Sequence, residues 1–119
     1  MTESIKMAVA FTGKNAHAAA APDLGRSAFD GLLLTISGIE SLRKHLAAGL
    51  VIEYRITSSG NLPCNIVPDQ ARGEIEIQAA DKTKLEWARK RLEDIVSGAA
   101  MMAGVKGSVL RDGQHVVVL

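Results

Sequence analysis

The sequence has little of several residue types that mark common protein classes. Among 119 residues there are one cysteine, three prolines, two phenylalanines, one tyrosine and one tryptophan, and the formal net charge is only +1. A lone cysteine, Cys64, excludes an internal disulfide and predicts a reducing compartment, the cytoplasm. The near-neutral charge and the scarcity of aromatic rings disfavour a nucleic-acid partner, which would need a basic surface or a stacking platform.

Long hydrophobic runs are also missing. Every apolar run is far shorter than the roughly 20 residues that a membrane-spanning helix needs, and the first residues lack the basic-then-apolar order of a signal peptide. Hydrophobic residues make up 47% of the chain and charged residues 23%, which is typical of a globular protein. We therefore expect a single domain over residues 1–119 with no membrane partner.

Hydrophobic periodicity predicts four strands and two helices. Residues 4–12 alternate between apolar and polar positions, as do 50–57 and 72–79, and a fourth strand is expected at 106–111. Residues 115–119 either continue that strand or return as a short one. The helices are predicted over 27–48 and 82–103, where apolar residues recur every three or four positions: Ala28, Leu32, Ile36, Ile39, Leu42 and Leu46 in the first, Leu85, Ala88, Leu92, Ile95, Ala99 and Met102 in the second.

The order βαββαβ predicts an α+β fold. It fits a ferredoxin-like sandwich, a four-stranded antiparallel sheet with two helices on one face. Ser27 is the expected N-cap of the first helix. For the second helix, Thr83 and Glu86 form a capping box with Asp81 as a competing cap, and Gly104 is the expected end.

The first helix and the second strand predict a surface for a second copy of the chain. Phe29, Leu33 and Leu34 lie off the core stripe of the helix, so it is either unusually well covered or part of an interface. In the usual βαββαβ arrangement the second and fourth strands are outermost. We expect a homodimer through the edge of the second strand, Leu50 to Thr57, and the first helix.

The chain shows no complete active site. His17, His45 and His115 have no metal-ligand spacing between them, and neither a phosphate-binding loop nor a nucleophile elbow is present. We therefore expect no metal and no cofactor bound by this chain. Two loops hold candidate residues: His17 is either a solvated histidine or a group offered to another molecule, and Asn65 is either a turn residue or an amide donor.

These two loops resemble a known family. The first reads Phe11-x-Gly13-Lys14-x-Ala16-His17-Ala18-Ala19-x-x-Pro22-x-x-Gly25-Arg26-Ser27-Ala28, and the second reads Asn65-Ile66-Val67-Pro68-Asp69. Together they resemble the dimerisation domain of the peptidase M20 family, which includes aminoacylases, deacetylases and glutamate carboxypeptidases. The Gly-Arg-Ser-Ala ending is most similar to the amidohydrolase branch, including aminobenzoyl-glutamate hydrolases.

The resemblance implies an enzyme that cleaves the amide bond of an N-acyl amino acid or a small peptide-like substrate. Its catalytic domain, outside this chain, would hold two zinc or other divalent ions, with a glutamate as general base. His17 would reach into the active site of the partner and donate to the scissile carbonyl and its oxyanion, and Asn65 would contact substrate.

One position departs from the family pattern. Many members have an arginine for a substrate carboxylate at the end of the third strand, where this chain has Gln78. A neutral amide cannot supply a cationic fork, so Gln78 is the weakest of the substrate-binding candidates. The alternative to a hydrolase domain is a free-standing ferredoxin-like module for ligand binding or assembly, with no catalytic role.

Overall fold

The chain forms a two-layer α+β sandwich, seen in a computed structural model that describes residues 3–14, 23, 25–58, 68–111 and 114–117. One antiparallel sheet with the strand order β2-β3-β1-β4-β5 packs against two helices. Both helices contact β1, β3 and each other. The elements are β1 (Glu3–Thr12), α1 (Ala28–Leu42) with a 3₁₀ turn (Arg43–His45), β2 (Val51–Ser58), β3 (Gln70–Ala79), α2 (Lys82–Ala103), β4 (Lys106–Arg111) and β5 (Gln114–Val117).

The central strand is β1. It pairs over its whole length with β3, from Glu3 opposite Ala79 to Thr12 opposite Gln70, and its second half pairs with β4. Its helix-facing side chains are all buried, whereas most of those between them are exposed, so the predicted alternation is confirmed. The buried set is Ile5, Met7, Val9 and Phe11. Because hydrophobic burial dominates folding, this strand anchors both layers.

The predicted fold class is confirmed, with one addition. The four expected strands and two helices are present, and residues 114–117 return as β5 beside β4. The fourth strand is therefore not at the sheet edge, contrary to the expectation. The second strand is at the edge, as expected, because it pairs only with β3 among the described strands.

Helix α1 begins where the sequence predicts and ends earlier. The Ser27 hydroxyl accepts a hydrogen bond from the Asp30 N–H at 3.3 Å, which confirms the N-cap. The helix stops at Leu42 and tightens into a 3₁₀ turn over Arg43–His45, after which Leu46 is extended, with φ −75° and ψ 133°. The predicted end near residue 48 is therefore wrong, and Gly49, with φ 83°, lies in the turn before β2.

Helix α2 has the predicted bounds but a different cap. The Asp81 carboxylate accepts from the Lys84 N–H at 2.9 Å, so Asp81 is the N-cap and the capping box of Thr83 with Glu86 is wrong. Gly104 ends the helix in the left-handed region, with φ 69°, where a glycine carries no steric cost. No helix of the described residues is long and apolar enough to cross a bilayer.

Two predicted core positions lie on the surface instead. Met102 is 70% exposed, and Val96 and Ala100 are buried on α2 in its place. A straight helix has 3.6 residues per turn, and the predicted apolar positions repeat at a slightly shorter spacing. The later predicted positions therefore turn away from the buried face of the helix. Ile56, expected to be inward on β2, is 45% exposed, next to an irregularity in the β2–β3 register.

Two helical glycines allow a matched test of the packing. A Cβ atom at Gly31 would lie 2.7 Å from the Phe11 ring, whereas a Cβ atom at Gly98 would meet nothing within 4 Å. We expect Gly31→Ala to destabilise the fold by about 1–3 kcal/mol through overpacking. Gly98→Ala should stabilise it by about 0.5–1 kcal/mol, since alanine favours the helix. Urea unfolding of both variants measures this, and equal effects would contradict the packing of α1 on β1.

Candidate functional site

The two segments that carry His17 and Asn65 are attached at one end of the sheet. His17 and Asn65 themselves lie outside the described residues. The first segment follows Thr12 of β1, and the second runs from Ser58 of β2 to Gln70 of β3. Thr12 pairs with Gln70 in the β1–β3 register, so these strand ends are neighbours.

Backbone hydrogen bonds join the described ends of these segments. The Gly13 N–H donates to the Asp69 carbonyl at 2.8 Å, and the Ala28 N–H donates to the Pro68 carbonyl at 2.9 Å. Lys14 and Arg26 exchange two further bonds, of 2.7 and 2.9 Å, as an isolated antiparallel bridge. We call this region the loop corner, which comprises Gly13, Lys14, Arg26, Pro68 and Asp69.

The loop corner requires glycine at position 13. A Cβ atom there would overlap the Arg26 carbonyl oxygen and lie 3.0 Å from the Ala28 nitrogen. Both obstacles are backbone atoms that are themselves held in hydrogen bonds, so they cannot move aside cheaply. The Gly13 of the sequence motif is therefore explained by close backbone approach rather than by a ligand.

Gln78 lies at the opposite end of the sheet from the loop corner. It pairs with Ser4 of β1 and Val51 of β2, and its side-chain amide donates to Glu76 at 3.4 Å. Gln78 is eight positions along β3 from Gln70, which corresponds to roughly 26 Å of extended strand. Within one chain the structure does not bring Gln78 together with the ends of the His17 and Asn65 segments.

One flank of α1 faces the sheet edge formed by β2. At 100° per residue, Phe29, Leu33, Ile36 and Glu40 share this flank, and the hydrogen bond of 2.8 Å from the Tyr54 hydroxyl to Glu40 ties it to β2. Leu34 points to another side of the helix by the same geometry. Phe29 and Ile36 are partly buried against the core, whereas Leu33 is 43% exposed. An uncovered apolar side chain therefore lies on this flank beside β2, which pairs only with β3 among the described strands.

Comparisons with known proteins identify the family of this chain. Residues 3–101 match the family profile of the peptidase dimerisation domain of the M20 family. The chain belongs to this family.

The domain is also similar to individual proteins. It is 38% identical over 92 residues to a p-aminobenzoyl-glutamate hydrolase subunit of Escherichia coli strain K12, a match that covers 77% of this chain and 19% of that protein. The domain therefore spans about a fifth of the length of this relative.

Two solved structures share its fold. An aminobenzoyl-glutamate utilization protein from Klebsiella pneumoniae superposes with a TM-score of 0.81 at 22% identity, covering 98% of this chain and 30% of that one. An amidase of the hydantoinase/carbamoylase family from Burkholderia ambifaria gives 0.84 at 16% identity, covering 92% and 27%.

The residues of the described segments do not fit a metal ion. No group of three or more histidine, cysteine, aspartate or glutamate side chains comes together among them. Structural and catalytic zinc sites need three or four such ligands converging on one point. Any metal chemistry of a family member that contains this domain would therefore need ligands from elsewhere.

A polar cluster holds α1 against the edge strand of the domain. The Arg43 Nε lies 3.0 Å from both carboxylate oxygens of Glu40, and the Arg43 guanidinium lies 5.7 Å from the centre of the Tyr54 ring. The hydrogen bond from Arg43, and then that from Tyr54, lowers the pKa of Glu40, and the same bond to Glu40 raises the pKa of Tyr54. Periodicity did not predict this cluster, because Glu40 and Tyr54 are 14 residues apart on different elements.

The lowered pKa of Glu40 gives a test with a defined sign. Its stabilising effect is complete above the ordinary pKa near 4.5 and is lost as the pH falls through the lowered value. Tyr54→Phe removes one of the two donors, so the titration midpoint of the Glu40 carboxyl carbon, followed by NMR, should rise. Arg55→Gln is the control, because Arg55 pairs with Glu74 instead. An unchanged midpoint in Tyr54→Phe would contradict the cluster.

Proposed function

We propose that this chain is the dimerisation domain of a metal-dependent amidohydrolase that cleaves an amide bond of an N-acyl amino acid. The observation that carries the proposal is the 38% identity to a p-aminobenzoyl-glutamate hydrolase subunit across most of the chain. A substrate of the aminobenzoyl-glutamate type would therefore suit the parent enzyme. The catalytic domain, with two zinc or other divalent ions, would lie outside this segment, and the single cysteine favours a cytoplasmic location.

The edge position of β2 supports self-association of the domain through this strand. A strand at a sheet edge presents unpaired backbone groups, and a second copy related by a twofold axis could pair with them. The apolar flank of α1 would then pack beside the same flank of the partner. Leu33 and Ile56, at 43% and 45% exposure, would lose water contact on pairing, which stabilises a dimer.

Charged substitutions on this flank test the interface. We expect Leu33→Lys with Ile56→Lys to weaken the dimer by at least about tenfold, since lysine ammonium groups would be desolvated in the interface. Leu110→Lys is the matched control, because Leu110 is equally exposed at 43% but lies on β4. Analytical ultracentrifugation measures the dissociation constants, and circular dichroism verifies the fold. Equal weakening by the control, or a wild-type chain that is monomeric at high concentration, would contradict the interface.

A twofold dimer would also bring Gln78 of the partner subunit closer to the loop corner. His17 and Asn65 are each three residues from the loop corner, and three residues of chain span at most roughly 11 Å. Pairing of β2 with its copy reverses the strand direction, so Gln78 of the partner subunit would lie at the loop-corner end. Three strand spacings, roughly 14 Å, would then separate it from Gln70, against roughly 26 Å within one chain.

This geometry favours a shared active site. His17 and Asn65 would come from one protomer, with Gln78 and the metal-bearing domain from the other. In the site His17 would donate a hydrogen bond to the oxyanion that forms at the scissile carbonyl. Donors of this kind are worth on the order of 3 kcal/mol in transition-state stabilisation.

Mixing of protomers in the intact parent hydrolase tests the action of His17 in trans. His17→Ala should lower kcat by about 100-fold or more with little loss of stability, because the donor acts mainly on the transition state. A His17→Ala protomer and a protomer lacking the catalytic glutamate should each be inactive, yet their heterodimer should regain one working site. If verified heterodimers recover no activity, His17 does not act across the interface.

A further inference from the structure

A cleft with three basic side chains lies beside the loop corner. It has a volume of about 380 Å³, and its lining includes Lys14, Arg26 and Lys106, with Thr12, Gly13 and Gly104 between them. Lys106 pairs with Thr12 in the β1–β4 register, and Lys14 is bridged to Arg26, so these elements are fixed relative to one another.

The cations of this cleft lack ionic partners among the described residues. None of the six ion pairs found there includes Lys14, Arg26 or Lys106, and no carboxylate lines the cleft. The sequences of segments 15–22 and 59–67 contain no aspartate or glutamate, and Asp23 and Asp69, which border them, do not line the cleft. By contrast, Arg89, Lys90 and Arg91 on α2 are each paired with an acidic neighbour.

The side chain of Arg26 makes hydrogen bonds within the fold, whereas those of Lys14 and Lys106 make none to the described residues. Its guanidinium donates to the Gly25 carbonyl at 2.7 Å and to the Asp23 carbonyl at 3.1 Å, and its stem packs against Gly104 at the end of α2. A cation at a helix C-terminus is favourable by itself. Lys14 and Lys106 are exposed and make no side-chain hydrogen bond in the described segments, so their charges are available to a ligand.

We propose that this cleft binds a carboxylate of the substrate, an inference that rests on the proposed hydrolase function. The lysine ammonium groups would supply the charge, and the Thr12 hydroxyl would supply a further donor. The cleft adjoins the loop corner, from which the His17 segment starts. It provides the cationic recognition that the neutral Gln78 cannot.

Glutarate is the probe for this site, and the complete chain is used. Chemical shifts of backbone amides are followed by NMR during titration with glutarate, with its neutral diamide glutaramide and with inorganic phosphate. Glutarate should shift residues around Lys14 and Lys106, glutaramide should not, and added salt should weaken the binding through screening. Shifts spread over the surface, no binding, or phosphate binding as tightly as glutarate would each overturn a carboxylate site.

Two variants of equal charge complete the test. Lys14→Gln with Lys106→Gln should weaken glutarate binding at least about tenfold, as expected for the loss of hydrogen bonds to a charged group. Lys44→Gln with Lys82→Gln removes the same charge from exposed positions near the opposite end and should change it less than about twofold. Equal losses would overturn the inference. Since the readout is binding, a dimer that fails to form would contradict the proposed function without abolishing these shifts.

Discussion

Gly13 donates its N–H to the Asp69 carbonyl, Ala28 donates to the Pro68 carbonyl, and Lys14 and Arg26 are bridged beside them. These hydrogen bonds hold together the connection from β1 to α1 and the connection from β2 to β3. The two connections meet at the loop corner, although they are far apart in the sequence. Backbone groups need hydrogen-bond partners, and here the connection before β3 supplies the acceptors for Gly13 and Ala28. The requirement for glycine at position 13 follows from this closure, because the Arg26 carbonyl and the Ala28 nitrogen lie too close for a side chain.

The two ends of the sheet consequently have different characters. One end holds the loop corner, the basic cleft and the origins of both motif segments. The other end holds Gln78 and the first residues of β1. A twofold axis beside β2 would place the two kinds of end next to each other in the dimer. The exposed edge of β2 is therefore the feature through which the fold and the proposed shared site are connected.

Sequence periodicity predicted the strands and the full extent of α2. In β1 and β3, burial of one face produces a regular alternation of apolar and polar residues. It failed where a local rule competes with tertiary structure. Asp81 caps α2 instead of Thr83, and the chain leaves α1 at Leu42 because it must turn into β2. The sequence did not decide whether residues 115–119 continue β4 or return as a separate strand, since a short apolar run has no clear period.

The site was less accessible from sequence than the fold. The motif around Gly13 and Arg26 was visible in the sequence, but the physical reason for these residues was not. Gly13 is required by the close approach of the Arg26 carbonyl, and the loop corner is closed by hydrogen bonds to Pro68 and Asp69 from a distant segment. The basic cleft has no signature in the sequence, because Lys14 and Lys106 are far apart in the chain and are brought together only by the β1–β4 register. Charged residues that are brought together by strand pairing form no local pattern in the sequence.

The central claim, that β2 pairs with a second copy of itself, is tested most directly by hydrogen exchange at different protein concentrations. Amides of β2 that point away from β3 should exchange more slowly as the concentration rises, because they would donate to the partner's strand. Amides of β5, at the other edge of the sheet, should show no such change. Protection that appears at β5, or β2 amides that exchange equally fast in a verified dimer, would contradict the account.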